Sequence, residues 1–216
     1  GSFCIHVPDE VVVAAGAIAT GLCSGSQFWV PGGEKKLPTA TCPLIKASLG
    51  ARFDRTCPFF RLADLFVGET TCDGKKKAWE ILAEDAPMYI MDIPQMKRER
   101  DYAHWRDEIR GYIRRLEELT GNEITEGSLH DAIVLLNGKR RALRRLSDFR
   151  KLDAVSISGK DVLLITQIAF YDDPGRFTSM VNKLCDELDQ RAREGVSVFP
   201  KGAKRILLTG TPLSIP

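Results

Sequence analysis

Residues 41–77 read TCPLIKASLGARFDRTCPFFRLADLFVGETTCDGKKK and contain three Thr-Cys pairs at equal intervals. The cysteines are Cys42, Cys57 and Cys72, so that neighbouring cysteines are 15 residues apart. The first two are followed by proline and the third by an Asp-Gly pair, which are residues typical of turns and helix starts. A fourth cysteine, Cys23, precedes the stretch. This density of cysteines beside turns predicts a functional site.

Apolar runs on both sides of Cys72 predict a βαβ unit. Leu62 to Val67 is mostly apolar and indicates a buried strand, Gly74 to Leu82 indicates a helix, and Met88 to Ile93 is the clearest strand. Strands joined by a helical crossover run parallel. Ligands of such sheets bind at the carboxyl ends of strands and the amino ends of helices, and Cys72 falls at such a point.

The sequence as a whole predicts three regions. Residues 3–96 are expected to form an α/β cluster-binding domain, with a short strand at Phe28 to Val30 and a helix from Cys42 that Gly50 ends. Residues 97–202 are expected to be helical, including the ambiguous apolar run from Ser158 to Phe170. Residues 203–216 resemble the first strand of a second α/β domain. We therefore expect the chain to be the amino-terminal part of a longer protein, or to have its second half in a separate chain.

Composition and sequence patterns argue against a disordered, a membrane-spanning and a nucleic-acid-binding protein. With 216 residues, 44% of them hydrophobic and 28% charged, the chain can bury a core. The net charge of +2 indicates no particular partner. There is no apolar run of about 18 residues, so we expect no membrane contact, and without an export signal we expect a cytoplasmic protein. The basic patch from Arg140 to Arg145 lacks interleaved aromatic residues, so no nucleic-acid partner is expected.

Three kinds of chemistry fit the clustered cysteines. Zinc sites use close pairs such as C-x2-C, which the stretch lacks, and structural disulfides are rare in the cytoplasm. An iron–sulfur cluster is larger, so thiolates from widely spaced loops can converge on it. The iron–sulfur interpretation is favoured. Helix amino ends at Cys42 and Cys72 would stabilise thiolates, and Lys75 to Lys77 add positive charge nearby.

The strings TCPLIKASLG, RTCPFF and VGETTCDGKKK resemble the amino-terminal half of the 2-hydroxyacyl-CoA dehydratase superfamily, and are most similar to its branch of double-cubane-cluster anaerobic reductases. The resemblance continues through PDEVVVAAGAIATGLCSGSQ, PMYIMDIPQ, ISGKDVLLI and RILLTGTPL, so it covers nearly the whole chain. It implies a Rossmann-like (flavodoxin-like) parallel sheet with flanking helices and a helical segment, as the first half of a two-domain protein.

The resemblance also implies a cofactor and partners. Cysteines matching Cys42 and Cys72 hold a [4Fe–4S] cluster in dehydratase subunits. The double-cubane branch holds an [8Fe–9S] cluster with additional cysteines, for which Cys57 is the candidate and Cys23 a weaker one. Electrons would come from an ATP-hydrolysing iron–sulfur activator. A dimer and a small-molecule or acyl-CoA substrate are expected.

Two enzymatic functions and one non-catalytic alternative follow. The first is an iron–sulfur oxidoreductase that reduces a small substrate at a double cubane, for which Cys57 is needed. The second is a 2-hydroxyacyl-CoA dehydratase subunit that removes water through a ketyl radical, for which Cys57 is dispensable. The third is a zinc-binding or apo fragment without catalysis. Glu69, three residues before Cys72, is a weak candidate proton donor, with a solvated or capping role as the alternative.

Overall fold

The computed structural model describes residues 1–3, 6–22, 25–200 and 202–207. The chain divides into two units that meet in sequence between Leu129 and His130. That division lies inside the helix Glu126–Asp148, whereas the predicted helical segment begins at Lys97. The predicted domain boundaries of 3–96, 97–202 and 203–216 stay predictions.

A parallel sheet forms the centre of the first unit. Strand β1 (Phe66–Glu69) pairs with β2 (Met88–Met91), and the register places Phe66 opposite Met88 and Glu69 opposite Met91. The connecting helix is α5 (Asp73–Ala83), so the predicted βαβ unit is confirmed. The start predicted for its first strand is wrong, because Leu62 ends a short helix and the strand begins at Phe66. Ser2 adds parallel bridges to Val67 and to Gly21, which extend the pairing beyond β1.

Helices cover both faces of this sheet. They are α1 (Asp9–Ala14), α3 (Pro43–Phe53), α4 (Pro58–Leu62), α5 and α6 (Glu99–Thr120). Helix α2 (Val30–Glu34) packs against α3. Side chains alternate between the faces of a strand. Phe66 therefore joins one buried cluster with Leu49, Phe60 and Trp79, while Val67 joins another on the opposite face with Met91. The predicted α/β class with flanking helices is confirmed.

Two local predictions are wrong for the same reason. Phe28 to Val30 is not a strand, because Gln27–Trp29 forms a 3-10 turn that leads into α2. Gly50 does not end α3, which continues to Phe53. A Cβ atom at Gly50 would lie 1.8 Å from the backbone oxygen of Trp29. Gly50 therefore allows the two backbones to touch, a tertiary contact that sequence patterns do not report.

The second unit, from His130, is helical in the part that is described. It contains most of α7 (Glu126–Asp148), a 3-10 turn at Phe149–Lys151, α8 (Gly159–Ile168) and α9 (Pro174–Arg193). The helix predicted for the ambiguous run from Ser158 is confirmed as α8. Phe149, Val162, Phe177 and Cys185 are among the buried residues of its core.

The strand predicted within residues 203–216 falls largely outside the described residues. Ile206 and Leu207 have no regular secondary structure. Within the described ranges, no helix combines the length and the apolar character needed to cross a membrane.

Candidate functional site

The carboxyl ends of β1 and β2 carry the candidate site. Glu69 is the last residue of β1 and leads through Thr70 and Thr71 to Cys72. Asp92 follows β2 directly. Because the strands are parallel and in register, both groups of residues lie at the same edge of the sheet, as the sequence predicts for ligand-binding residues.

The turns that carry Cys42 and Cys72 lie side by side. Cys42 is the N-cap residue of α3 and Cys72 that of α5, and α5 packs against α3. A Cβ atom at Gly74 would lie 2.8 Å from Ile45 Cδ1 and 4.0 Å from Thr41 Cγ2. The first turn of α5 therefore rests against the first turn of α3. Both thiols are free and exposed.

Cys57 occupies the same kind of position but is buried. It is the N-cap residue of α4, and its neighbours in the buried cluster include Ile45, Leu49 and Phe60. The residue before it, Thr56, accepts a hydrogen bond of 2.6 Å from Trp29 Nε1. The structure thus separates the three predicted ligands into two exposed thiols and one core thiol. Cys23, the weaker candidate, lies outside the described residues.

Glu69 is fully buried, so the solvated role considered for it is wrong. Its side chain is 0% exposed, and its Oε1 atom accepts a hydrogen bond of 2.7 Å from Thr71 Oγ1 and forms an ion pair with Lys75. Its backbone oxygen accepts a hydrogen bond of 2.9 Å from Trp79 Nε1. Residues of the Cys72 turn and of α5 therefore hold Glu69 at the end of β1.

The three lysines after Cys72 are not equivalent. The Lys75 side chain is only 19% exposed and pairs with Glu69. Lys76 and Lys77 are 50% and 60% exposed and pair with Asp73 and Glu80 on the surface of α5. Only the first of them belongs to the interior of the site.

A polar network around Asp92 was not anticipated from the sequence. Thr70 Oγ1 donates a 2.6 Å hydrogen bond to Asp92 Oδ1, and His104 Nε2 lies 3.1 Å from Asp92 Oδ2. The Asp92 backbone N–H donates to Glu108 Oε2 at 3.0 Å. The Thr70 hydrogen bond, followed by His104, holds the pKa of Asp92 below its ordinary value. The available signal was its place near the carboxyl end of the predicted strand from Met88 to Ile93, which the structure ends at Met91.

Two of the three thiols suit a cluster ligated by thiolates. Exposed cysteines at adjacent helix amino ends meet partial positive charge, which stabilises thiolates. A [4Fe–4S] cluster takes about four thiolate ligands. Within the described ranges, however, no group of three or more His, Cys, Asp or Glu residues could hold a metal ion. Cys42 and Cys72 alone would therefore supply only part of a cluster's ligand set, and the remaining ligands would come from elsewhere.

The chain is similar to known dehydratase components over almost its whole length. A family model described as 2-hydroxyglutaryl-CoA dehydratase, D-component, matches residues 4–216. The putative dehydratase subunit YjiM of Escherichia coli (strain K12) is 39% identical over 215 residues, which are 99% of this chain and 56% of that protein. The (R)-phenyllactyl-CoA dehydratase beta subunit of Clostridium sporogenes is 23% identical over 214 residues, 97% of this chain and 55% of that protein. The chain thus spans about half the length of these relatives.

Proposed function

The chain belongs to the 2-hydroxyglutaryl-CoA dehydratase D-component family, and on that premise we propose that it is the cluster-binding part of an iron–sulfur dehydratase. Cys42 and Cys72 are the proposed ligands on this chain. The proposal is carried by one observation, the side-by-side exposed cysteines at the starts of α3 and α5.

The helix amino ends and the side-chain hydrogen bonds of the protein would prepare the site for the cluster. The amino ends of α3 and α5 favour negative charge on the two thiolates. The bound cluster would supply electrons of low potential, one at a time. Thr70, Thr71 and Asp92 fix the backbone beside Cys72 through the hydrogen bonds described above. Glu69 as a proton donor stays a prediction.

A second candidate function is a reductase with a double-cubane cluster. It requires more cysteine ligands than a single cubane, and Cys57 would be one of them. Cys57 is 8% exposed and belongs to the apolar cluster around Phe60, so its thiol would have to leave that cluster to bind iron. The geometry therefore supports the dehydratase more than the reductase.

The proposed partners follow from the family. They are an ATP-hydrolysing iron–sulfur activator, the remaining part of the protein or a partner subunit, and a second copy in a dimer. The two relatives are both named as subunits, which supports the need for a partner. The proposed substrate is a 2-hydroxyacyl-CoA thioester, in keeping with the name of the matching family.

Metal analysis of the natural protein tests the function. Protein purified without oxygen is expected to contain about four iron atoms and as much acid-labile sulfide per chain, with the absorption of a cubane cluster. Cys57→Ala is expected to leave these values unchanged. About eight iron atoms that Cys57→Ala partly removes would instead support the double cubane. Zinc, or no metal, would contradict both enzymatic functions.

A further inference from the structure

Glu69 binds both sides of the turn that carries Cys72. Thr71 Oγ1, from the residue before the cysteine, donates to Glu69 Oε1 at 2.7 Å. Lys75, three residues after the cysteine, binds the same oxygen atom through its ammonium group. The segment from Glu69 to Lys75 therefore closes on one carboxylate oxygen, with Cys72 at its middle.

The Glu69–Lys75 pair is poorly explained by stability alone. Glu69 is completely buried, and its second oxygen, Oε2, accepts no hydrogen bond from the described part of the chain. Buried ion pairs stabilise a fold little more than apolar side chains of similar size, and an incompletely bonded carboxylate stabilises it less. A buried pair of this kind therefore indicates a role at the turn it encloses.

The same turn is fixed on two further sides. Trp79 Nε1 donates to the Glu69 backbone oxygen at 2.9 Å, which ties the end of β1 to α5. Gly74 lies against Ile45 of α3, so the position of the Cys72 turn also sets its position relative to Cys42. A shift of Glu69 or Lys75 would be transmitted to the spacing of the two exposed cysteines.

We propose that Glu69 and Lys75 are positioning residues that hold the Cys72 turn in the conformation in which its thiol faces a shared ligand with Cys42. Their importance for the enzyme depends on the proposed function, in which Cys72 is a cluster ligand. The geometric role itself is a property of the iron-free protein and is tested there.

The test compares two charged pairs that involve α5, the buried Glu69–Lys75 pair between β1 and α5 and the exposed Lys77–Glu80 pair within α5. Glu69→Leu/Lys75→Met removes the buried pair without leaving an unpaired charge, so the protein is expected to fold. Lys77→Met/Glu80→Leu removes the exposed 2.9 Å pair of the same helix and is the matched control. Lys75→Arg keeps the positive charge and is the conservative rescue. Glu69→Gln keeps the side-chain shape and is the second variant if the apolar pair fails to fold.

Two measurements on iron-free protein report the position of the turn. Amide hydrogen exchange in residues 70–74 is expected to accelerate about tenfold in Glu69→Leu/Lys75→Met, while residues 41–45 keep their rate. The alkylation rate of Cys72 relative to that of Cys42 is expected to change about threefold, because the loosened turn no longer holds the Cys72 thiol in one position. Glu69→Gln is expected to show smaller changes in the same directions. Lys75→Arg and the control are expected to match the wild type.

Two results would overturn the proposal. In the first, exchange and the Cys72 to Cys42 alkylation ratio stay at wild-type values in the folded apolar variant, or in Glu69→Gln if it alone folds. In the second, exchange accelerates equally in residues 41–45 and 70–74, which indicates a general loss of stability. A failure of iron to bind the wild type would contradict the proposed function and would leave both measurements valid.

Discussion

The turns at Cys42 and Cys57 share the sequence Thr-Cys-Pro and the same place at the start of a helix, yet one thiol is exposed and the other is buried. The difference arises outside the motif. Between them α3 ends at Phe53, and Arg55 adopts a left-handed backbone with a φ of 54° that turns the chain back. Cys57 then enters the cluster that contains Phe60. The motif determines where a helix begins, and the surrounding chain determines whether its cysteine is available.

The largest effect is expected from Gly50→Ala, which would break the packing beside Cys57. The new Cβ would lie 1.8 Å from the Trp29 backbone oxygen, and backbone cannot move aside as a side chain can. We expect the free energy of unfolding, measured with urea, to fall by about 3 kcal/mol. Alkylation of Cys57 should then accelerate, because local opening exposes it.

Gly127→Ala is the control for this change. Its nearest neighbour would be Thr125 Oγ1 at 3.7 Å, so the helix should gain about 0.5–1 kcal/mol. Equal stability of the Gly50 and Gly127 variants would show that α3 and the chain at Trp29 do not touch as described.

A smaller effect, of opposite sign at the two turns, is expected from aspartate substitutions. In Cys42→Asp the new carboxylate would be exposed and could accept a hydrogen bond from a backbone N–H of the first turn of α3. This should stabilise the protein by about 0.5–1 kcal/mol. At Cys57 the carboxyl group would be buried beside apolar side chains, which should cost about 2 kcal/mol. Thermal or urea unfolding of the two variants measures this. The same sign at both positions would contradict the difference in burial.

The smallest effect is expected from lowering the pH, which protonates Asp92 at the sheet edge beside Cys72. The lowered pKa of Asp92 means that its bonds to Thr70 and His104 stabilise the fold above the ordinary value of 3.8 and are lost as the pH falls below it. Lys76 and Glu108 also face this carboxylate. NMR titration should give Asp92 a midpoint below 3.8.

Asn substitutions check the assignment of this acid dependence. Asp92→Asn should reduce the dependence of stability on pH below about 4, the usual range of aspartate. Asp107→Asn, which removes an exposed carboxylate of α6 that pairs with Arg110, should not change it. A midpoint for Asp92 at or above the ordinary value would contradict the network.

Local patterns predicted the elements that carry the site. The alternation of apolar runs and turns predicted the βαβ unit, and proline after Cys42 predicted the start of α3. The expected helical character of residues 97–202 is found in α6, α7, α8 and α9. These features depend on residues close in sequence, so they can be predicted without tertiary information.

Contacts between distant residues could not be predicted in this way. The burial of Cys57 depends on the turn at Arg55, and the helix after Trp29 depends on its approach to Gly50. The Asp92–His104 contact joins residues on a strand end and a helix. Glu69 became a candidate because it lies three residues before Cys72 in the sequence. Its burial and its ion pair with Lys75 could be seen only in the structure.

The proposal that Cys42 and Cys72 bind iron while Cys57 stays in the core is tested by alkylation of the three cysteines. Alkylation is measured by mass spectrometry on the natural protein before and after iron loading. Before loading, Cys42 and Cys72 should react about 100-fold faster than the buried Cys57. After loading without oxygen, Cys42 and Cys72 should become protected together, while Cys57 keeps its slow rate. An exposed thiol that stays reactive once iron is bound, or a Cys57 that reacts as fast as the other two before loading, would contradict this assignment of ligands.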